Sequence, residues 1–382
     1  LTDAIFANYV AGYNLLSLHG LYYSTMGGWW EWAPPGNHFR MPYWNQVEPL
    51  MKCTERLSYL FSQGQHVCDV AIIYPTEPVV AEMEGRKSVD IAFNTGNSIY
   101  DKGIDFDFID YESIARAEVK NGELCVSGEK YKVIIVPSMK VIRHSTLQKL
   151  EAFKNSGGIV INIGEKPIAS EKNGFNDTEV RELVASIFLE RKNTIQCKSE
   201  QEVLTALSGK YFPNFKILDK VKERPYVMHR KIGNRDVYAL YNLPKNTKCF
   251  FRSKGFVELW NPWNGAVNSI AHLAKETPEG TEVSLPLSKT EMQLIVFSQE
   301  EEKGKHEYRG ENLVKTVTID DIWEFELKPC LDNQWGDFQL PAFPKMLGAQ
   351  VRQLHIKENQ NYNGGKVVFD SSWDSVTCSY GT

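Results

Sequence analysis

The strongest constraint on the fold lies in residues 66–195, where short apolar strands alternate with amphipathic helices. The segments VCDVAIIY (67–74) and YKVIIV (131–136) are almost entirely apolar, and each is followed by a proline. A third apolar strand, Ile159–Ile163, follows the amphipathic stretch Ser145–Ser156. Strands joined by helices, without hairpin turns, are typical of a parallel sheet buried on both faces. We therefore predict a doubly wound parallel sheet over 66–195.

The residues before this sheet show a different pattern of predicted elements. Residues 1–65 predict two helices, Asp3–Gly12 and Tyr43–Gln63, around a short strand at Leu15–His19 and a loop over 26–42 that is rich in Gly, Pro and Trp. Helix, strand, loop and helix is the order in the last part of a (β/α)8 barrel, and such a piece has no closed core of its own. We predict that 1–65 is a (β/α) barrel remnant.

The residues after the sheet predict β structure. Between 196 and 300, turn residues separate six short strands, which favours an antiparallel β-sandwich. These strands are Tyr226–Lys231, Val237–Tyr241, Lys248–Arg252, Phe256–Trp260, Glu282–Leu285 and Gln293–Phe297. Residues 301–382 open with a charged linker and continue with strand-like stretches, which predicts the start of a second β-sandwich or a partial jelly-roll. The fold class is thus multidomain, α/β plus β.

Composition excludes several classes of protein. Hydrophobic residues make up 42% of the 382 and charged residues 24%, which is ordinary globular usage. A net charge of −5 argues against a nucleic-acid binder, and no apolar run reaches the roughly 18 residues that span a bilayer. The seven cysteines include no C-x-x-C pair, so no zinc knuckle is predicted and the thiols are expected to be free and mostly buried. Because the chain opens at Leu1 and 373–382 look like an interrupted strand, we expect a fragment of a longer protein.

The loop of the barrel remnant carries the strongest functional signal. Trp29, Trp30 and Trp32 stand within four positions, framed by Gly and Pro, and Tyr22 precedes them. Indole and phenol rings offer a flat apolar face with a polar tip, which suits stacking on a sugar ring. Barrel active sites lie in loops after the strands, so a sugar-binding role is one hypothesis. Packing of these rings between domains is the alternative.

Two polar residues belong to the same segment. Glu31 lies among the Trp residues, where an apolar setting would raise its pKa and suit a general acid. A glycosidase needs a second carboxylate, and none is evident nearby, so a substrate hydrogen bond or an exposed position competes with the catalytic role. His19 follows the predicted strand and either binds a sugar hydroxyl or is a core histidine.

Two other places in the sequence are candidates for chemistry. The turns after the predicted strands, Pro75–Pro78 and Pro137–Lys140, contain no Cys, so the nucleophile of an amidotransferase is absent and a structural scaffold is favoured. Asp332, Asn333 and Asp337 could bind Ca²⁺ through oxygen atoms, or they could form a tight turn.

Several segments of the chain resemble segments of known protein families. NLLSLHGLYYS, the Trp loop, the following helix and HVCDVAIIYP resemble the barrel exit of large glycoside hydrolases, and 66–195 resemble the flavodoxin-like, glutamine-amidotransferase-like domain of family 42 β-galactosidases, which is not catalytic. VELWNPWNG and WEFELKPCLDNQWGDFQLPA resemble the α-L-rhamnosidases of glycoside hydrolase family 106.

The resemblance implies hydrolysis of a terminal rhamnosyl bond in an oligo- or polysaccharide, with inversion and with Ca²⁺ as a cofactor. It places the acid and base carboxylates on barrel strands before Leu1, so the 382 residues alone are expected to be inactive. Export to the periplasm or medium is implied by family analogy, and self-association stays open. The alternative function is a non-catalytic carbohydrate-binding or assembly module.

Overall fold

The computed structural model describes residues 1–20, 37, 43–175, 177–189, 192–208, 213–300 and 306–310, together with the backbone of four short strands between 322 and 370. The chain divides into two compact units. The first unit comprises Leu1–Leu15 and Cys53–Gly310, and the second comprises Leu16–Lys52 and Glu311–Thr382.

The described residues contain eight α-helices with clear start and stop residues. They are α1 (Thr2–Val10), α2 (Val47–Ser62), α3 (Thr76–Val80), α4 (Gly85–Tyr100), α5 (Tyr111–Arg116), α6 (His144–Ser156), α7 (Thr178–Phe188) and α8 (Gln201–Ser208). At the start of α7, the Asp177 carboxylate accepts hydrogen bonds from the backbone N–H groups of Glu179 and Val180. Helix α6 ends at Gly157, whose φ of +111° lies in the region that favours glycine.

The strands are short and numerous. Up to residue 217 they are β1 (Gln65–His66), β2 (Val70–Ile73), β3 (Asp107–Ile109), β4 (Glu118–Lys120), β5 (Glu123–Val126), β6 (Glu129–Tyr131), β7 (Val133–Pro137), β8 (Ile159–Ile163), β9 (Ala169–Ser170), β10 (Gly174–Phe175), β11 (Thr194–Cys197) and β12 (Phe215–Ile217). The following strands are β13 (Tyr226–Ile232), β14 (Arg235–Tyr241), β15 (Lys248–Phe251), β16 (Phe256–Trp260), β17 (Val267–Ser269), β18 (Ala274–Glu276), β19 (Thr281–Ser284), β20 (Gln293–Ser298), β21 (His306–Glu307), β22 (Ile322–Glu326), β23 (Arg352–Gln353), β24 (Asn363–Gly364) and β25 (Lys366–Asp370).

Five strands of the first unit form a parallel sheet in the order β3-β2-β7-β8-β11. Counted along the chain this order is 2-1-3-4-5, a doubly wound order in which the direction of winding reverses beside the first strand. Strands β2 (VAII) and β7 (VIIVP) are buried at every position. Burial on both faces explains why their sequences are continuous apolar runs.

Alternate side chains of this sheet enter two separate cores. In β2, Ala71 and Ile73 belong to one core, and Val70 and Ile72 belong to the other. Helices α5, α6 and α7 contribute to the first core, and α4 and α8 contribute to the second. The sheet therefore carries helices on both faces.

Two further sheets of the first unit are mainly antiparallel and share one core. The larger has the order β1-β13-β14-β20-β16-β17-β21, in which only β17 and β21 run parallel, and the smaller has the order β12-β15-β19-β18. Tyr238, Leu259 and Ile295 of the larger sheet pack in the same cluster as Phe251 and Val283 of the smaller one. The core thus lies between the two sheets, as the alternation of buried side chains along these strands requires.

Helix α1 is held against the larger sheet by aromatic contacts. The fully buried Phe6 ring meets the rings of Tyr241 and Trp263 edge-on, at centroid distances of 5.7 and 5.8 Å. The Tyr241 hydroxyl donates a hydrogen bond of 2.5 Å to the Asp3 carboxylate. These contacts anchor the N-terminal helix to β14 and to the turn after β16.

The sequence predictions of secondary structure are confirmed in most places, but one predicted strand is wrong and several elements were not predicted. Among the latter is the antiparallel sheet β4-β5-β6, which corrects the expectation that 66–195 contain no hairpin turns. All six strands predicted between 226 and 297 are present, with ends within two residues of the prediction. The predicted strand at Leu15–His19 is wrong, because a strand needs a hydrogen-bonded neighbour and no strand among the described residues pairs with this segment. Helix α4 was not predicted, because its buried stripe includes Ser88, Thr95 and Gly96 and only one large apolar side chain, Ile99.

Candidate functional site

The first candidate site is the aromatic loop, whose two ends are fastened together. The backbone N–H of Asn37 donates to the carbonyl of Gly20 at 2.7 Å, and its side-chain amide donates to the carbonyl of His19 at 2.9 Å. The Tyr43 hydroxyl in turn donates to the Asn37 side-chain oxygen at 2.9 Å. Burial raises the pKa of Tyr43, so this hydroxyl keeps its proton at neutral pH. A buried asparagine thus joins the chain at residues 19 and 20 to the chain at residue 37.

The predicted sugar-binding residues divide into one that the structure describes and five that it does not. His19 is exposed among the described residues, and its role as a hydroxyl-binding or a core histidine stays a prediction. Tyr22, Trp29, Trp30, Glu31 and Trp32 lie outside the described residues, and their roles stay predictions. The same holds for the candidate Ca²⁺ ligands Asp332, Asn333 and Asp337.

A second place for chemistry is the carboxyl end of the parallel sheet, where ligands bind in many doubly wound proteins. Ser138 follows β7 in a strand-to-helix turn with a φ of +47°, which is unusual for a residue with a side chain. Its Oγ accepts a hydrogen bond from the Glu165 backbone N–H at 3.2 Å, and its carbonyl accepts one from the Ser88 hydroxyl at 2.9 Å. The strained turn therefore holds a buried serine that is engaged in backbone hydrogen bonds.

The surroundings of this turn consist of ion pairs. The Lys140 ammonium pairs with Glu84 and lies 3.5 Å from the Glu165 carboxylate. The Arg143 guanidinium lies 3.4 Å from Glu77, whose pKa is raised because burial outweighs the effect of the arginine. Among the described residues, the hydrogen-bond partners found for Ser138 include no histidine or carboxylate side chain that could serve as its base. This geometry agrees with a scaffold role.

A third cluster, which the sequence did not predict, lies at the amino end of the parallel sheet. His66 Nδ1 is 3.2 Å from each Asp107 carboxylate oxygen, and Nε2 is 2.7 Å from Asp105 Oδ2. Cys68 Sγ lies 3.1 Å from Asp107 Oδ2, and the Tyr131 hydroxyl donates to the same oxygen at 2.9 Å. One ligand atom from each of His66, Cys68 and Asp107 lies within 4.8 Å of the others.

The sequence contains a faint signal for this cluster. His66 and Cys68 are two residues apart, as are Asp105 and Asp107, and this spacing places each pair on one side of an extended chain. Burial alone would lower the pKa of His66, but the carboxylates of Asp105 and Asp107 outweigh it and hold the pKa well above its ordinary value. Sulfur and imidazole donors suit Zn²⁺ rather than Ca²⁺, so the cluster does not match the Ca²⁺ site that the family resemblance implies.

Comparison with known proteins identifies the family of this chain. The family model described as alpha-L-rhamnosidase, glycoside hydrolase family 106, matches residues 30–274. The match covers more than half of the chain, and the chain belongs to this family of glycoside hydrolases.

Individual proteins and solved structures are also similar to the chain. A putative beta-glucuronidase of Formosa agariphila is 28% identical over 292 residues, which are 74% of this chain and 22% of that protein. The structure of a rhamnosidase from Novosphingobium sp. PP1Y superposes with a TM-score of 0.60 at 21% identity, over 85% of this chain and 32% of the other, and so shows a shared fold. Gan42B, a GH42 beta-galactosidase from G. stearothermophilus, superposes with a TM-score of 0.45 at 12% identity, over 67% of this chain and 44% of the other.

These relatives also bear on the extent of the chain. The chain spans between about a fifth and a third of the glucuronidase and the rhamnosidase that it matches. Within the described residues, none of the helices combines the length and the apolar character needed to cross a bilayer.

Proposed function

We propose that this chain is part of a glycoside hydrolase that removes terminal α-L-rhamnosyl groups from an oligo- or polysaccharide. The observation that carries the proposal is the match of residues 30–274 to the α-L-rhamnosidase family. The fold shared with a Novosphingobium rhamnosidase supports it, because the likeness extends over 85% of this chain. The alternative, a non-catalytic binding or assembly module, is not favoured by these matches.

The proposed division of labour follows the predicted domains. Residues 1–65 would end a (β/α)8 barrel, 66–195 would be a flavodoxin-like scaffold without a catalytic Cys, 196–300 would be a β-sandwich, and 301–382 would begin a second β domain. The 2-1-3-4-5 strand order supports the assignment of 66–195, and the core shared by two mainly antiparallel sheets supports that of 196–300. The ion-paired turn after β7 supports a scaffold role.

The proposed sugar subsite is the loop that Asn37 closes. We assign sugar stacking to Tyr22 and to Trp29, Trp30 and Trp32, and hydrogen bonding to Glu31 and His19. Support comes from the exposure of His19 and from the hydrogen bonds that fasten residues 19 and 20 to Asn37, because a subsite needs loop ends held in place. The acid and base carboxylates belong, by the family resemblance, to barrel strands preceding Leu1.

The test compares the protein that includes the native sequence before Leu1 with the 382-residue chain. Each is incubated with aryl α-L-rhamnoside, aryl β-glucuronide and aryl β-galactoside, and release of the aryl group is followed by absorbance. We expect the longer protein to hydrolyse the rhamnoside in preference to the other two, and the 382-residue chain to hydrolyse none. Preference for the glucuronide would correct the substrate, and binding of rhamnosides without turnover by the longer protein would establish the non-catalytic alternative.

The subsite is tested in the same longer protein. Trp29→Ala, Trp30→Ala and Trp32→Ala are each expected to raise KM, because a stacking face is lost. Tyr59→Ala is the matched control, since Tyr59 is an aromatic residue of α2 that is 70% exposed and lies outside the loop. Equal effects of the control and of all three loop variants would contradict the subsite.

Export and Ca²⁺ dependence rest on family analogy alone, and self-association is an open expectation. Export to the periplasm or medium is tested by locating the native protein in cell fractions, and self-association is tested by light scattering of the purified protein. Ca²⁺ dependence is tested by assaying the longer protein after chelation and after return of Ca²⁺, with variants of Asp332 and Asp337 as the probes of the proposed ligands.

A further inference from the structure

We propose that His66, Cys68 and Asp107 form a Zn²⁺ site at the amino end of the parallel sheet. This inference is independent of the proposed hydrolase function. Its basis is the convergence of three chemically different donors, an imidazole nitrogen, a thiol sulfur and a carboxylate oxygen, whose ligand atoms all lie within 4.8 Å of one another. Nitrogen, sulfur and oxygen donors of this kind are the ones that bind zinc in proteins.

The distances agree with a tetrahedral metal site after a small adjustment. With bonds of about 2.3 Å to sulfur and about 2.0–2.2 Å to nitrogen and oxygen, tetrahedral ligands stand roughly 3.3–3.7 Å apart. In the chain, His66 Nδ1 is 3.2 Å from Asp107 Oδ2, and Cys68 Sγ is 3.1 Å from the same oxygen. Two of the three ligand pairs are thus within a few tenths of an ångström of these values, and the imidazole nitrogen and the sulfur lie within 4.8 Å of each other.

The partner of the other imidazole nitrogen supports a metal-binding histidine. His66 Nε2 lies 2.7 Å from Asp105 Oδ2, and the Asp105 side chain is only 12% exposed. A carboxylate that accepts the second ring N–H is the usual outer partner of a zinc-bound histidine, because it fixes the ring and makes the metal-facing nitrogen a better donor. Zn²⁺ would take the place of the Nδ1 proton of the metal-free imidazolium, and the Cys68 thiol would release its proton to solvent.

The charges around the cluster accommodate a divalent cation without a change in net charge. Three carboxylates, those of Asp105, Asp107 and Glu129, act on His66, whereas Arg230 is the cation that acts on Glu129 and Asp107. With His66 protonated, these groups carry one net negative charge. Zn²⁺ would displace one proton from His66 and one from Cys68, so the same net charge would remain with the ion bound.

The position of a fourth ligand is also available. Glu129 Oε1 accepts a hydrogen bond from the His66 backbone N–H at 3.1 Å, whereas its Oε2 atom is buried and has no hydrogen-bond partner among the described residues. The Tyr131 hydroxyl lies 2.9 Å from Asp107 Oδ2. Glu129, Tyr131 or a water molecule would complete the coordination.

A metal here would act on structure. His66 belongs to β1, which pairs with β13 of the larger antiparallel sheet, and Asp107 begins β3 of the parallel sheet. The ion would therefore join an edge of one sheet to the start of the other. An ion that binds only the folded chain raises stability by RT ln(1 + [L]/Kd), so the gain grows with the logarithm of the free zinc concentration.

The experiment uses the full 382-residue chain, freed of metal by chelation and then dialysed. Zn²⁺ is titrated against a chromophoric chelator, and Co²⁺ is titrated while the thiolate-to-cobalt charge-transfer absorption is recorded. We expect one equivalent of Zn²⁺ to bind, a cobalt thiolate band in the unmodified chain, and a rise in the thermal unfolding midpoint on addition of Zn²⁺.

Variants assign the site. Cys68→Ser should abolish the cobalt thiolate band, and Asp105→Asn should weaken zinc binding by about 10- to 100-fold, the range measured when outer partners are removed. Cys249→Ser is the matched control, because Cys249 is an equally buried free cysteine in β15 outside the cluster, and it should leave both titrations unchanged. Circular dichroism establishes that each variant is folded.

Several outcomes would overturn the proposal. These are a lack of stoichiometric zinc binding by the unmodified chain, a cobalt spectrum without a thiolate band, and a band that survives in folded Cys68→Ser or disappears in Cys249→Ser. The first two outcomes are measured on the unmodified chain, so the proposal can be contradicted even if a variant misfolds. The cluster would then be a metal-free ion network.

Discussion

The ion network around Asp69 gives a test of what joins the parallel sheet to the antiparallel sheets. Asp69 precedes β2, and its side chain is 5% exposed. Its Oδ1 atom is 2.9 Å from Lys132 Nζ, and its Oδ2 atom accepts a hydrogen bond of 2.7 Å from Arg252, which follows β15. The side chains of Arg252 and Lys132 are 28% and 44% exposed, so the carboxylate is buried while both cations reach water.

This asymmetry predicts that loss of the arginine is worse than loss of the acid. Removing one partner of a buried ion pair costs roughly 3–5 kcal/mol, because the other charge is left uncompensated. Asp69 retains Lys132 after Arg252→Met, so we expect a loss of about 2 kcal/mol in the free energy of unfolding, roughly half of that range. Asp69→Asn leaves two cations that water solvates, and we expect a loss of about 1 kcal/mol, typical of one hydrogen bond.

The charge state needed for this prediction is present at neutral pH. Burial would raise the pKa of Asp69, but Arg252 and Lys132 outweigh it and hold the pKa below its ordinary value. The Asp69 carboxylate is therefore ionised where the measurement is made.

The assay is urea unfolding of the 382-residue chain at neutral pH, followed by circular dichroism with chelator present. We expect lower midpoints with unchanged slopes, because the surface exposed on unfolding does not change. Arg86→Met is the matched control, since the Arg86 side chain is 89% exposed in its pair with Asp90, and it should change stability by less than about 0.5 kcal/mol. The double variant of Asp69 and Arg252 should lose less than the sum of the single losses. Additive losses, or a larger loss in Asp69→Asn than in Arg252→Met, would contradict this role of the buried ion pair.

Three further predictions concern packing and capping. Phe6→Ala should lower the free energy of unfolding by about 3–5 kcal/mol, because it empties a fully buried ring site, whereas Phe6→Leu should lower it by about 1 kcal/mol. Urea unfolding distinguishes the two variants, and equal losses would contradict the packing role of the ring. Gly96→Ala should cost about 1–3 kcal/mol in thermal unfolding, because the new Cβ would stand 2.4 Å from the Phe106 ring; Phe106→Leu should recover part of the loss, and no recovery would place the strain elsewhere. The hydrogen bond from Ser170 and those from the α7 backbone lower the pKa of Asp177, so its contribution is complete above the unfolded pKa of about 3.8 and is lost as pH falls through the lower folded pKa. Asp177→Ala should therefore be less stable than the unchanged chain at neutral pH, with a gap in unfolding midpoint that closes in acid; a gap independent of pH would show that the charge of the cap does not matter.

The elements that the sequence predicted are those in which one strong pattern decides the structure. Strand β8 matches the prediction at both ends, and α6 begins one residue earlier than predicted. In both cases large apolar side chains repeat with the period of the element and meet a core, as Leu147, Leu150 and Phe153 do. Local pattern and tertiary packing then agree.

Helix α4 shows the opposite case. Most of its buried positions are small or polar, such as Ser88, Thr95 and Gly96, and these residues are weak helix formers. Small side chains are required there because the Phe106 ring approaches the helix at Gly96. The need for close approach is a property of the partner, so a search for large apolar side chains along the helix misses it.

The aromatic loop also has one feature that the sequence predicted and one that it did not. Its composition alone indicated a surface loop with stacking residues, and the hypothesis about those residues did not need the fold. Asn37 could not be singled out, because its importance comes from hydrogen bonds to the chain at residues 19 and 20, on the far side of the loop. An asparagine beside Gly36 in a segment rich in Gly and Pro has many turn roles available to it, and only the closure of the loop selects one.

The cluster at His66 could not be predicted from sequence patterns alone, because it depends on the order of the strands in the sheet. The two-residue spacings of His66 with Cys68 and of Asp105 with Asp107 place each pair on one side of the chain, but they do not bring the pairs together. That follows from the pairing of β2 with β3, the 2-1 part of the doubly wound order, because the segments before two adjacent parallel strands meet at the same edge of the sheet. The sequence predicted a doubly wound sheet but not the order of its strands. A strand order taken from the doubly wound class would have placed two acids beside a histidine and a thiol. This combination would have suggested a site, although none of these residues suggests one by itself.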